Sequence, residues 1–244
     1  PAETPTRSGP RRIKFRDMAN GRSRGLQRSA PSRHDTSRIV KLSSVIRHGS
    51  TEAMERGTLI HAWFERIEWL DGSAWPTEEE LHSTAEEIGA THLDVPRLIN
   101  EFHAMLRSPK IAWGLSPKSY QPPKDLQLPV DVCGSLEAAA AGQIRMEVKN
   151  EHSFAVREAG EIVSGYIDRL VLIYLDNQLV ACDVIDFKTD TFAFDDQRAF
   201  AAKVNYYQEQ LDSYRRVVSR LYRIPVDCVS TRLFMVGAGT ITNV

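Results

Sequence analysis

The segment SGYIDRLVLIYLDNQLVACDVIDFKTD, residues 164–190, predicts two β-strands joined by a tight turn. Val163 to Tyr174 and Leu179 to Lys188 are rich in β-branched and large apolar residues. Asp176-Asn177 between them is typical turn chemistry. Strands with this much Val, Ile and Leu are usually covered on both faces, so this pair is expected at the centre of the fold.

Three charged residues interrupt these apolar strands, namely Asp168, Asp186 and Lys188. A buried charge is costly unless it is paired, bound to a metal or used in chemistry. Side chains alternate along a strand, so Asp186 and Lys188 point to one face. Asp168 joins them only if it lies directly across from Asp186, which needs a three-residue loop or a bulge. A strict two-residue turn would pair Asp168 with Ile185; we expect the odd-length connection.

Two carboxylates beside a lysine suit metal-dependent phosphoryl chemistry. Carboxylate oxygens hold hard divalent cations such as Mg²⁺ or Mn²⁺. Such a cation lowers the pKa of a bound water and polarises a phosphoryl oxygen. Lys188 would orient or deprotonate that water, or stabilise the charge that develops on the phosphorus centre.

Gly165-Tyr-Ile-Asp-Arg169 and Val184-Ile-Asp-Phe-Lys-Thr-Asp190 resemble the core motifs of the PD-(D/E)xK nucleases. More narrowly, they resemble the RecB/AddA-type nuclease domain found at the C-terminus of UvrD-like helicases. Two further motifs of that family occur in the expected order, Gly57-x-x-x-His61 and Gln210-Leu-Asp-Ser-Tyr214. The resemblance covers about residues 43–240. Each motif is weak alone, whereas four in order are specific.

The resemblance implies an α/β fold in which helices flank a central mixed β-sheet, preceded by an N-terminal helical region. It also implies a divalent cation, Mg²⁺ or Mn²⁺, held by side chains and one carbonyl group. The expected ligands are His61, Asp168, Asp186 and the carbonyl of Phe187. Lys188 is expected to position or activate the attacking water.

A strongly periodic segment predicts a long helix from Arg198 to Leu221. Gln210 and Tyr214 are four residues apart and therefore adjacent on its surface. The resemblance gives them the role of supporting the active site, with Tyr214 also contacting nucleic acid. Lys203 and Arg215 on the same helix are further candidates for binding the phosphate backbone.

Helices are also predicted upstream, at Thr51 to Leu70, Pro76 to Ile88 and Val95 to Leu106. The segment Ser108 to Pro129 contains five prolines and little periodicity, so it is expected to be a loop. Together, residues of about 71–130 are expected to form a helical insert beside the core.

Strands are also predicted on either side of the central pair. Gln143 to Val156 begins the sheet, and Asp227 to Val236 adds a strand near the end. Glu151 lies within the first of these, where the resembling family often has an acidic residue. Its role is open between support of the metal site, contact with substrate and simple exposure on a strand.

The net charge of −1 hides an asymmetry. Residues 1–41 carry 11 Lys and Arg against 3 Asp and Glu, and the remainder carries 20 against 29. We expect residues 1–42 to form a basic flexible linker or tail and residues 43–244 to form the nuclease domain. A basic arm beside an acidic core fits a metal-dependent enzyme that acts on a polyanion.

The number of cysteines and the lack of long apolar runs limit which cofactor and which cellular compartment are expected. Some proteins of the family that this chain resembles carry an iron–sulfur cluster on four cysteines. This chain has three, Cys133, Cys182 and Cys228, so no such cluster is expected. No apolar run reaches the length of a membrane span and no signal peptide is evident, so we expect a cytoplasmic protein without a membrane partner.

The expected function is that of an Mg²⁺- or Mn²⁺-dependent deoxyribonuclease, an exonuclease rather than an endonuclease, in DNA recombination and repair. The resemblance implies single-stranded DNA as substrate and a helicase motor domain in the same full-length chain. One alternative is a catalytically silent DNA-binding or scaffolding module of a helicase complex. Another is a stand-alone restriction-type or CRISPR-associated nuclease. Metal binding and cleavage separate the nuclease from the silent module.

Overall fold

The computed structural model of the protein describes residues 28–29, 48–70, 75–120, 144–158, 161–190 and 196–244. Its strands are β1 (Arg28–Ser29), β2 (Ile144–Glu158), β3 (Glu161–Leu175), β4 (Gln178–Lys188), β5 (Val229–Met235) and β6 (Thr240–Asn243). Its α-helices are α1 (His48–Glu65), α2 (Glu78–Glu87), α3 (Val95–Arg107), α4 (Pro109–Gly114) and α5 (Gln197–Tyr222). Short 3₁₀ turns lie at Pro117–Tyr120, Val226–Cys228 and Val236–Ala238.

The strands form one mixed sheet in the order β2-β3-β4-β5-β6. β4 and β5 are parallel, and the other neighbours in that order are antiparallel. β1 adds a short parallel pairing to β3 at Ile162 and Val163. β1 belongs to residues 1–42, expected as a linker or tail; the rest of that segment lies outside the described residues.

The β3–β4 connection combines a two-residue turn with a bulge. Asp176 and Asn177 have φ values of 47° and 66°, the left-handed pair of a type I′ turn. Leu175 faces Gln178 across this turn, but further along the strands Arg169 faces Ile185. The register shifts because Val180 is an extra residue on β4. The shift brings Asp168 level with Asp186, the register expected from the sequence.

Helices cover both faces of the sheet. On one face, α1 and α3 bury Trp63, Phe64 and Phe102 against residues of β4 and β5 that include Phe187 and Phe234. On the other face, α5 packs its own apolar stripe on the remaining side chains of β3, β4 and β5. The α/β fold with a central mixed sheet between helical layers is therefore confirmed. None of the described helices is long and apolar enough to span a membrane.

The prolines after Ser108 start helical turns, so the prediction of a loop is wrong for Pro109 to Tyr120. Pro109 lies in the first turn of α4, where its missing N–H costs nothing. Gly114 packs so closely on the sheet that an added Cβ would lie 2.5 Å from Ile241 and 2.6 Å from Phe234. Residues 121–129 of the predicted loop lie outside the described residues.

Helix α1 ends at Glu65, five residues before the predicted end. The chain leaves the helix through a turn in which Ile67 N donates to Phe64 O, and Leu70 N then donates to Leu115 O. Ile67 and Leu70 remain buried, which explains why their periodicity resembled that of a longer helix. The last strand, β6, is short and half-exposed, and the sequence did not predict it.

Candidate metal centre

Three potential ligands meet where α1 approaches the edge of β2 and β3. His61 Nδ1 lies 3.5 Å from Asp168 Oδ2. Glu151 completes the group, and one ligand atom from each residue lies within 4.8 Å of the others. All three side chains are half-buried, so they are shielded by protein yet open to solvent.

Packing around Phe187 fixes the position of this group. The Phe187 backbone N–H donates to Asp168 Oδ2 at 2.8 Å, which ties β3 to β4 at the site. The ring of Phe187 stacks on Phe64 of α1 with centroids 4.3 Å apart. It also meets the edge of His61 at 6.3 Å. Since Phe64 and His61 are three residues apart on α1, this packing sets the depth at which the imidazole reaches Asp168.

Arg169 holds the chain that follows α1. Its fully buried guanidinium donates to the carbonyl oxygens of Ile67 at 2.7 Å and Glu68 at 2.5 Å. It also lies over the ring of Trp69. The residue next to Asp168 therefore anchors the segment that leads out of the helix carrying His61.

Glu151 has an unusual backbone and an unusual acidity. It lies within a strand but has φ = 44°, a conformation that is unfavourable for a residue with a side chain. The pKa of its carboxyl is raised to about 7 by burial and by the negative charges of Asp168, Glu65 and Asp186. A bound cation would relieve this repulsion.

Asp186 and Lys188 form a buried ion pair beside the three ligands. Their Oδ2 and Nζ atoms are 2.6 Å apart, and the side chains are 1% and 17% exposed. Burial raises the pKa of Asp186 to about 6, although Lys188 opposes the shift. Burial alone would lower the pKa of Lys188, but the charges of Asp186 and Asp168 outweigh it and raise that pKa. The lysine is therefore held as an ammonium ion.

Helix α5 supports this pair from the other face of the sheet. Gln210 Nε2 donates to Asp186 Oδ1 at 3.3 Å and to Tyr214 Oη at 2.9 Å. Lys188 Nζ lies 4.6 Å from the centre of the Tyr207 ring, a cation–π contact. The Tyr207 hydroxyl donates to Asp190 Oδ2 at 2.7 Å. Gln210 and Tyr207 thus hold the two ends of the Asp186–Lys188 pair.

The donor set suits a divalent cation of the Mg²⁺ or Mn²⁺ type, since it combines carboxylate oxygens with one imidazole nitrogen. His61 and Asp168 lie in the cluster as expected. Asp186 lies beside this group, with Oδ2 near Lys188 and Oδ1 accepting from Gln210, and its role as a ligand stays a prediction. The carbonyl of Phe187 has no contact that assigns it a role, so it stays a prediction. The sequence alone does not determine the role of Glu151, because the polar residues around it show no clear periodicity.

The residues expected to bind nucleic acid each have partners within the protein or are buried. Lys203 Nζ bonds Asp190 Oδ1 at 2.7 Å. Arg215 donates to Thr231 Oγ1 at 2.7 Å and to the carbonyl of Val244 at 2.5 Å. Tyr214 is only 3% exposed. Contact of these three side chains with nucleic acid therefore stays a prediction without support from their positions.

Comparison with known proteins assigns the chain to no family. A scan of the sequence against models of protein families finds no match, and no curated protein matches it significantly. The functional interpretation consequently depends on the geometry of the site and on the order of the sequence motifs.

Proposed function

We propose that the protein is a divalent-metal-dependent DNA nuclease of the PD-(D/E)xK type. The observation that carries the proposal is the convergence of His61, Glu151 and Asp168 beside the buried Asp186–Lys188 pair. Carboxylates and an imidazole that meet around a common point, next to a buried ammonium ion, are the groups that phosphodiester hydrolysis requires. The four ordered motifs add support for DNA as the substrate.

Each group has a role that follows from its position. His61, Glu151 and Asp168 would hold the cation, which when bound supplies a water of lowered pKa and a polarised phosphoryl oxygen. The ammonium group of Lys188 would orient the attacking water and stabilise negative charge. Asp186 keeps Lys188 charged and in place. Gln210 restrains Asp186, and Tyr214 restrains Gln210.

The larger assembly is also part of the proposal. Single-stranded DNA as the preferred substrate and exonuclease action are proposed because the chain resembles nuclease domains that receive strands unwound by a helicase. The same resemblance further supports a helicase motor domain in the same full-length chain and a role in recombination and repair. The pattern of products from an end-labelled strand distinguishes exonuclease from endonuclease action.

The test is cleavage of end-labelled single-stranded and duplex DNA with Mg²⁺, with Mn²⁺ or with EDTA. We expect metal-dependent products from the wild type and a rate lower by about 10²–10⁴-fold in Asp168→Asn and Lys188→Met. Glu147→Gln is the control, because Glu147 lies on β2 like Glu151 but pairs with Lys149, outside the cluster.

Two outcomes would contradict the proposal. If Asp168→Asn and Lys188→Met cleave like the wild type, the site is elsewhere or the activity belongs to a contaminant. If the wild type binds DNA without cleaving it under any metal condition, the chain is a silent binding module.

A further inference from the structure

A cavity of about 960 Å³ reaches the candidate metal centre at His61. His61, Phe187 and Lys188 form part of its lining, and α1 and α3 supply another part. Its volume is at the upper end of the ~300–1,000 Å³ of pockets that enclose a small ligand.

Two arginines on the lining share one carboxylate. Arg56 Nη2 lies 2.9 Å from Glu101 Oε2, and Arg97 Nε lies 3.1 Å from Glu101 Oε1. One arginine would suffice to bridge α1 and α3 through Glu101. The second leaves the triad with a net positive charge at the surface of the cavity.

The rest of the charged lining does not cancel this excess. Asp190 also lines the cavity, but Lys203 pairs with it at 2.7 Å. Lys188 also lines the cavity, and its charge is balanced by the buried Asp186 at 2.6 Å. Arg56 and Arg97 therefore give the cavity wall a net positive charge next to the candidate metal centre, where a phosphodiester would be cut.

Arg56 lies close to His61 along α1. It precedes His61 by five residues, which is about 7.5 Å along a helix axis. Both residues line the same cavity, which therefore connects Arg56 to the candidate metal centre.

We propose that Arg56 and Arg97 bind the phosphate backbone of a single DNA strand next to the scissile phosphate, and that Glu101 weakens this binding by competing for both guanidinium groups. This assignment rests on the proposed nuclease function. The sequence motifs predict substrate binding by residues of α5. This proposal adds a second binding surface on α1 and α3.

The proposal predicts effects of opposite sign from the two partners of one ion pair. Arg56→Gln and Arg97→Gln should each raise the Kd for a short single strand by about three- to tenfold. Each should reduce the slope of log Kd against log salt concentration by about 0.7. Glu101→Gln should lower the Kd by about two- to fivefold, because it frees both arginines. A purely structural bridge would give changes of the same sign.

The measurement is fluorescence anisotropy of a fluorescein-labelled single strand in EDTA, repeated between about 50 and 200 mM salt. Arg66→Gln and Glu87→Gln are the matched controls. That pair joins the end of α1 to α2 at 2.5 Å, is half-exposed and does not line the cavity. Arg56→Lys keeps the charge and should keep the salt slope. Circular dichroism and thermal melting verify folding, and Glu101→Gln remains informative if an arginine variant does not fold.

Failure of this proposal is distinguishable from failure of the nuclease function. If the wild type cleaves DNA but the Arg56, Arg97 and Glu101 variants match the controls in Kd and salt slope, phosphate binding by these arginines is wrong and the nuclease function is retained. If the opposite-sign effects appear without any cleavage, phosphate binding is supported and the catalytic function is wrong. A wild type that binds no single strand in EDTA overturns the proposal that Arg56 and Arg97 bind phosphates.

Discussion

Glu151 combines, at the scale of one residue, a strained backbone conformation with an unfavourable charge environment. Its φ of 44° would suit glycine, yet a glutamate occupies the position, and the charges of Asp168, Glu65 and Asp186 act on its carboxyl. A left-handed conformation costs a residue with a Cβ on the order of 1–2 kcal/mol. Both the backbone conformation and the charge environment of Glu151 therefore oppose folding, and binding of the proposed cation would offset this cost.

The backbone conformation at Glu151 gives the first prediction. Glu151→Gly should be more stable than Glu151→Ala by about 1 kcal/mol, because only glycine adopts φ = 44° without strain. Urea unfolding of both variants measures the difference. Ser153, two residues further along β2 and exposed, should show the opposite order, with Ala more stable than Gly. Equal stability of the two Glu151 variants would contradict the assigned conformation.

The second prediction concerns the pH dependence of stability without metal. Folding raises the pKa of Glu151 from 4.5 to about 7, so between these values the folded state binds more protons than the unfolded state. This contribution to the free energy of unfolding therefore falls as pH rises from 4.5 to 7. Below 4.5 the carboxyl is protonated in both states and imposes no penalty.

Glu151→Gln isolates that contribution, because glutamine does not titrate. Thermal melting in EDTA should show the variant more stable than the wild type at pH 8, with the difference vanishing near pH 4. Glu147→Gln is the control. The hydrogen bond with Lys149 lowers the pKa of Glu147, so this variant should not gain stability over the wild type at pH 8. A constant gap between Glu151→Gln and wild type across this range would count against the raised pKa.

At the scale of the element, the β3–β4 hairpin depends on one extra residue. The type I′ turn alone would pair Asp168 with Ile185 and place it on the face opposite Asp186. Val180 restores the register by bulging β4. A change far from the metal centre can therefore determine which face carries the charged groups.

The third prediction tests this hairpin by two changes. Deletion of Val180 should abolish cleavage and destabilise the fold, because either Asp186 and Lys188 turn into the opposite apolar layer or the turn must distort. Asn177→Gly should instead stabilise the protein by roughly 0.5–1 kcal/mol, since glycine favours φ > 0 in a type I′ turn. Urea unfolding and the cleavage assay measure both. A deletion variant with wild-type stability and activity would show that the bulge does not set the register.

At the scale of the whole molecule, the apolar patterns of the sequence were sufficient to predict the hairpin, most helices and the layered α/β class. These predictions succeed because strand alternation and helical periodicity depend only on residues that are close in sequence. The roles of Glu151, Arg56 and Arg97 depend on which elements meet in space, and no local pattern encodes that. The helix at Pro109 was missed because prolines at a helix start and in a loop look alike in sequence.

The arrangement of layers also explains why the site lies at this position. His61 comes from the helical layer on one face, Glu151 and Asp168 come from the sheet, and Gln210 comes from the helix on the other face. A cation held by His61 and the two carboxylates would join α1 to the sheet. Binding of that cation should therefore stabilise the packing between layers and not only the ligands themselves.

The fourth prediction is that Mn²⁺ raises the melting temperature of the wild type but much less that of His61→Ala. At a concentration of 100 Kd, the expected stabilisation is about 2.7 kcal/mol, or roughly 5–10 °C for a chain of this size. Hydrogen exchange should slow in α1 as well as in β2 and β3, because the cation links them. His92→Ala is the matched control, since His92 pairs with Glu55 at 2.7 Å outside the cluster. If His61→Ala gains as much from Mn²⁺ as His92→Ala, His61 is not a ligand and no cation joins α1 to the sheet through it.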